Sequence, residues 1–216
     1  MVSIKKRIVI VASGSGSNAQ AIINACAKQT VNGSVVKLIS NVPNAEALDR
    51  AARSNIPSTF IDHKTFVDRD SFDLALAAEI DAAKPDVIVL AGFMRILSDV
   101  FVAKYLGKLL NIHPSLLPKY TGLKTYQRAI DNEDREHGTS VHFVTPELDG
   151  GPVILQAKVP VFEDDTVDEL ASRVLVQEHK IYPLVVNWLC NERIALIDMK
   201  AFFDGQELPE CGYASD

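Results

Sequence analysis

Three polar side chains in this sequence have the types and spacing for acyl-transfer chemistry. In LLNIHPSLLP, residues 109–118, Asn111 and His113 are separated by one residue. On an extended strand they project to the same side, with Ile112 turned to the other. His113-Pro114 ends that strand, because proline keeps the preceding residue extended and offers no N–H to a ladder. A carboxamide and an imidazole side by side can donate to the oxyanion of a tetrahedral intermediate. A second polar cluster, ELDGGPV, sets Asp149 before two glycines. A carboxylate brought against His113 would favour the charged imidazole and help move a proton. No serine or cysteine nucleophile motif surrounds these residues, so the attacking group would come from the substrate. Spacing alone also permits a plainer account, in which the histidine caps a strand, the asparagine satisfies a loop and Asp149-Gly150 is a turn.

A different chemistry is suggested by SGSGSNAQAI, residues 13–22, where a glycine loop leads from an apolar run into a helical pattern. Backbone N–H groups and the positive end of a helix can hold an anion there. Residues 14–19 fit the G-x-G-x-x-A dinucleotide fingerprint, but the second strand ends in LISNVPN, with Asn41 where a ribose-binding acid would stand. The loop also lacks the G-K-[ST] ending of a triphosphate loop. Its hydroxyl and amide groups suit one phosphate monoester, with Gly16, Ser17 and Asn18 as the best contacts. The alternative is a tight turn capped by serine or asparagine.

Both clusters need a scaffold that brings strand ends together. Short β-branched runs at 7–12, 35–40, 58–61, 86–91 and 108–112 alternate with helical patterns near 18–29, 44–54, 70–83, 99–106 and 124–132. This grammar predicts the α/β class, with a mainly parallel twisted sheet flanked by helices. In such sheets ligands bind outside the carboxyl ends of the strands, where Asn111 and His113 fall. From residue 138 the pattern changes. GTSVHFVT (138–145) and PVILQAKVPV (152–161) predict a strand pair that need not be parallel. A long helix follows, opened by Thr166 and Glu169 in capping-box spacing and bent at Pro183. A hairpin around DGQ closes the chain, and no linker divides residues 1–216, which read as a single domain.

Composition narrows the field. Of 216 residues 47% are hydrophobic, enough for a substantial core. The net charge is -6 and the basic residues are scattered, which argues against nucleic acid as a partner. Cys26, Cys190 and Cys211 form no C-x-x-C pair, so neither a disulfide framework nor a metal site is expected, and a reducing cytoplasm is the natural compartment. No apolar run approaches the length of a membrane helix.

NIHPSLLPKYTG (111–122), followed by GTSVHFVTPELDGGPVILQ (138–156), resembles the signature of the folate-dependent formyltransferases. SGSGSNAQAII, AGFMRIL and QEHKIYPLV extend the resemblance over essentially the whole chain. It implies a Rossmann-like formyltransferase fold, 10-formyltetrahydrofolate as formyl donor and the amine of glycinamide ribonucleotide as acceptor. Asn111, His113 and Asp149 match the family's catalytic trio, and Gly16, Ser17 and Asn18 its phosphate contacts. Glu178 matches a carboxylate that meets the ribonucleotide. Arg69, Met94, Arg95, Ile96, Leu97, Val144 and Leu148, together with Asn111, match positions around the folate. Small-molecule partners follow, with the chain a monomer or weak homodimer. Thr121, Lys124 and Tyr126 depart from the proline and two histidines common in the family, so no role of those histidines carries over.

Overall fold

A computed structural model describes residues 5–213. Strand and helix alternate as β1 (Lys6–Ala12), α1 (Ser17–Ala27), β2 (Gly33–Ser40), α2 (Glu46–Arg53), β3 (Ser58–Phe60), α3 (Arg69–Ala82), β4 (Val87–Leu90), α4 (Asp99–Lys104) and β5 (Leu109–His113). These five strands pair in parallel in the order β3-β2-β1-β4-β5. The chain therefore winds outward from β1 to β3, crosses back to β4 and winds the other way. The crevice left at the β1–β4 boundary is where a doubly wound sheet receives ligands.

Burial on both faces explains why β1 and β4 are nearly unbroken apolar runs. Ile8 and Ile10 face one layer, with Ile22 of α1. Val9 and Val11 face the other, with Phe72, Leu76 and Ile80 of α3. Asp68 closes a capping box with Ser71 at the start of α3.

After α5 (Thr125–Asp131), β6 (Glu136–Phe143) and β7 (Val153–Pro160) extend the same sheet beyond β5, each antiparallel to the strand before it. The expected strand pair is thus the continuation of the parallel sheet. The long helix is α6 (Val167–Cys190), opened by the Thr166–Glu169 capping box and running without interruption past Pro183. Its Tyr182 is fully buried and donates to the carbonyls of Leu90 (2.8 Å) and Leu110 (3.1 Å). One phenol thereby ties α6 to β4 and β5 together, close to the ends that carry the polar residues.

The tail holds more strand than the hairpin read from DGQ. β8 (Ile194–Ile197), β9 (Lys200–Phe203) and β10 (Gln206–Glu207) make a small antiparallel sheet. Beyond it Tyr213 returns to the margin of β7, where its N–H donates to the Ile154 carbonyl at 2.7 Å. Gly212 permits this approach: a Cβ there would lie 2.6 Å from the Ile154 carbonyl carbon, and its φ is +80°. Among the described residues no helix is long and apolar enough to cross a membrane.

Candidate active site

Register between β5 and β6 assembles the polar cluster. Asn111 stands opposite His142 and His113 opposite Ser140. The Asn111 carboxamide nitrogen lies 3.2 Å from His142 Nε2, and His142 Nδ1 lies 2.9 Å from the Phe143 carbonyl. A carbonyl can only accept, so Nδ1 carries the proton and Nε2 accepts from Asn111. This fixes which end of the carboxamide is the donor. One hydrogen of its NH₂ is engaged with His142, and the other is available to a ligand.

His113 is held in the same manner. Its Nε2 lies 2.8 Å from the Tyr120 carbonyl and must donate to it, which leaves Nδ1 as the atom that gains or gives a proton. Asp149 Oδ2 sits 3.4 Å from that Nδ1. The same oxygen accepts from the Gly122 N–H at 2.9 Å, while Oδ1 lies 3.9 Å from His142 Nε2. Asp149 has φ +52°, a left-handed backbone that aspartate tolerates better than most residues. The following turn demands glycine, since a Cβ on Gly151 would lie 1.8 Å from the Phe143 carbonyl oxygen. Side chains of β6 pin the loop after His113: Thr139 donates to the His113 carbonyl at 3.0 Å and Ser140 to that of Ser115 at 2.6 Å.

Burial holds the His142 imidazole down at about 4, because desolvation outweighs the favourable Phe143 carbonyl and Asp149 carboxylate. His142 therefore stays neutral under mild conditions, as accepting from Asn111 requires. The unfolded chain takes up a proton near the ordinary value of 6.5 while the folded chain does not, so stability rises with pH across this interval and is lost as pH falls from 6.5 towards 4. The interval corresponds to roughly 3 kcal/mol at most. Urea unfolding at pH 7 and pH 4.5 is expected to show a smaller loss for His142→Gln than for the natural chain. An equal loss in both would assign the acid sensitivity to other groups.

The cleft in front of Asn111 and Asp149 is lined by Arg95, Ile96, Leu97, Val144 and Leu148, all singled out from the sequence, with His142 behind. The Arg95 guanidinium lies over the Phe72 ring, 5.1 Å from its centroid. Its Nε is buried with no hydrogen-bond partner among the described residues. Two expected members stand apart. Met94 is 71% exposed and outside the cleft lining, its backbone N–H bonded to Ser13 Oγ at 2.9 Å. Arg69, the first residue of α3, is half-exposed beside Asp70 and also outside the lining.

At the other half of the site Gly16 is the N-cap of α1, with φ +70° and no side-chain cap. The capped-turn alternative is thereby removed, and the first N–H groups of the helix keep their capacity for an anion. Glycine is required at 16, where a Cβ would lie 2.7 Å from that of Ala47. Ser17 borders an open cleft between α1 and α6 that Arg50 and His179 also line. Asn18 turns inward instead, its amide donating to Glu178 Oε2 at 2.6 Å. Burial raises the Glu178 carboxyl above the usual carboxylate range, against the lowering effect of Asn18. Asn18 Oδ1 is left buried without a partner among the described residues.

The three departures from the family pattern sit in the loop that carries Tyr120 and the helix after it. The Thr121 carbonyl accepts from Arg128 at 2.7 Å, and Lys124 is the left-handed N-cap of α5. Tyr126 packs edge-on against His137 at 5.6 Å. The residue that sequence reading missed is His142. Its only signal is the pairing register with Asn111, 31 positions away.

The chain matches the model of the family described as "Formyl transferase" over residues 6–186. It is 54% identical to the phosphoribosylglycinamide formyltransferase of Escherichia coli (strain K12) over 209 residues, 97% of this chain and 99% of that protein. The Haemophilus influenzae protein of the same name is 46% identical over 98% of this chain and 100% of its own length. A solved phosphoribosylglycinamide formyltransferase from Coxiella burnetii, in complex with CHES, superposes with a TM-score of 0.93. It is 44% identical over 97% of this chain and 98% of that one.

Proposed function

The chain belongs to the formyl transferase family, and from that premise we propose that it transfers a formyl group from 10-formyltetrahydrofolate to the amine of glycinamide ribonucleotide. The observation that carries the reading is the set Asn111, His113, His142 and Asp149, linked by close polar contacts, of which Asn111, His142 and Asp149 line one cleft and His113 stands against Asp149. Folate occupies the cleft beside residues 92–97 and 144–148. The ribonucleotide phosphate meets the N–H groups at residues 16–18, with Glu178 as a further contact to the ribonucleotide.

In this reaction the substrate amine attacks the formyl carbon and the carbonyl π pair moves onto oxygen. The free hydrogen of Asn111 Nδ2 and a proton on His113 Nδ1 donate to that oxyanion. Asp149 stabilises the charged imidazole. It also handles the proton that leaves the attacking amine and must reach the departing folate nitrogen. Collapse re-forms the carbonyl, breaks the old carbon–nitrogen bond and leaves the formamide. Walls of Ile96, Leu97, Val144 and Leu148 limit water, which would otherwise hydrolyse the donor.

Incubation of the purified protein with both substrates tests this directly. Amine-dependent release of tetrahydrofolate with stoichiometric formylated ribonucleotide is expected, and release without the amine, or none at all, would overturn the reading. Asn18→Ala is expected to raise the KM for the ribonucleotide about 10-fold and that for the folate less than about 2-fold. Steady-state kinetics checks this, and equal increases in both would place Asn18 outside the ribonucleotide site.

A further inference from the structure

We propose that Ser13 is a positioning residue for the folate half of the site, acting from the phosphate side. Its hydroxyl holds the 92–97 loop in register with the glycine loop. The proposal rests on the assignment of that loop to the folate, and it concerns the first residue after β1, which touches neither substrate in the reading above.

The argument starts at the β1–β4 boundary. β1 ends at Ala12 and β4 at Leu90, so the two ligand-facing loops leave the sheet from neighbouring parallel strands. Parallel strand ends do not fix the loops beyond them, and 92–97 contains no regular element. Ser13 supplies the missing links. Its backbone N–H donates to the Gly92 carbonyl at 3.1 Å and its hydroxyl oxygen accepts from the Met94 N–H at 2.9 Å. One residue thus binds the start and the third position of the short turn Gly92–Met94. Gly92 takes φ +68° inside that turn, a conformation the two bonds hold in place.

The orientation of the hydroxyl is itself determined. Ser13 Oγ lies 2.6 Å from Asn41 Oδ1, an acceptor, so its proton points there and its lone pairs face Met94. Asn41 follows β2 and is in turn engaged by His63, whose Nδ1 lies 3.0 Å from the Asn41 carbonyl. Ser13 and Asn41 are 9% and 4% exposed, so water is a poor substitute for either partner. A chain of hydrogen bonds therefore runs along the carboxyl edge of the sheet from β4 to β1 to β2. Asn41 occupies the place where a dinucleotide-binding sheet carries its ribose acid. Here it orients a serine.

Ser13→Ala removes the acceptor of the Met94 N–H and leaves the Gly92 bond intact. Hydrogen–deuterium exchange across residues 93–97 is expected to accelerate about 10-fold with exchange in β4 unchanged, and the KM for the formyl donor to rise by about the same factor. The KM for the ribonucleotide is expected to stay within about 2-fold. Unchanged exchange at 93–97, or equal rises in both KM values, would overturn the proposal. Asn41→Ala, which frees the Ser13 hydroxyl without deleting it, is expected to move exchange in the same direction by a smaller factor. It serves as the deciding variant if Ser13→Ala does not fold, and unchanged exchange there would again overturn the proposal. The exchange measurement needs no turnover. A failure of the proposed reaction is therefore read separately in the natural chain.

Discussion

Replacing Asp149 by asparagine is expected to lower kcat by about 10²–10⁴-fold, with each KM within about 3-fold. The substitution keeps size and shape, and an amide oxygen can still accept from the Gly122 N–H that now bonds to the carboxylate at 2.9 Å. The turn tolerates the exchange, because asparagine adopts the φ of +52° found at this position as readily as aspartate. What disappears is the negative charge 3.4 Å from His113 Nδ1, in a side chain only 9% exposed. In the proposed reaction His113 would then face no compensating charge, and the proton of the attacking amine would have no base. Stopped-flow measurement of the chemical step, with a thermal melt as control for folding, checks the outcome. A kcat within 10-fold of the natural chain would move proton handling away from Asp149, since that is below the range for general acid–base catalysis.

Asn111→Ala is expected to reduce kcat about 10²–10³-fold, the usual consequence of deleting one oxyanion donor. Asn111→Asp is expected to be at least as damaging, for a reason particular to this site. His142 presents its Nε2 lone pair 3.2 Å from the position of the Asn111 nitrogen, and its proton is committed to the Phe143 carbonyl. A carboxylate at 111 would set acceptor against acceptor, and a second negative charge would approach Asp149. Comparing kcat for the two variants separates loss of a donor from introduction of a repulsive group. If Asp outperformed Ala, the assigned orientation of the carboxamide would be wrong.

Much of this architecture was legible in the sequence because it rests on local signals. The runs at 7–12 and 86–91 announce buried parallel strands by their unbroken apolar character, and Thr166 with Glu169 marks the start of α6 within its first turn. Asn111 and His113 declare a common side by their spacing alone. What escaped depends on pairing across long separations. HFV in β6 reads as ordinary strand, and His142 joins the candidate site only through the β5–β6 register that sets it opposite Asn111. Ser13 and Asn41 likewise look like loop polarity until three strand ends lie side by side. The strand Ile194–Ile197 escapes a reading that sees only a hairpin around DGQ, because a four-residue strand on a small sheet carries little periodicity.

Tyr213 and Gly212 have a bearing on how one margin of the sheet is covered. β7 lies at the margin of a seven-stranded sheet, and an unsatisfied row of backbone groups there is a template on which a second molecule can add a strand. The returning segment takes up the Ile154 carbonyl and bridges Leu155, so the start of that row is occupied by the chain's own backbone. At the far end β7 finishes in Lys158 and Pro160, a charge and a residue without an N–H. The opposite margin, β3, is only three residues long. The glycine at 212 thus lets the chain's own backbone cover the start of this margin, since a Cβ there would lie 2.6 Å from the Ile154 carbonyl carbon.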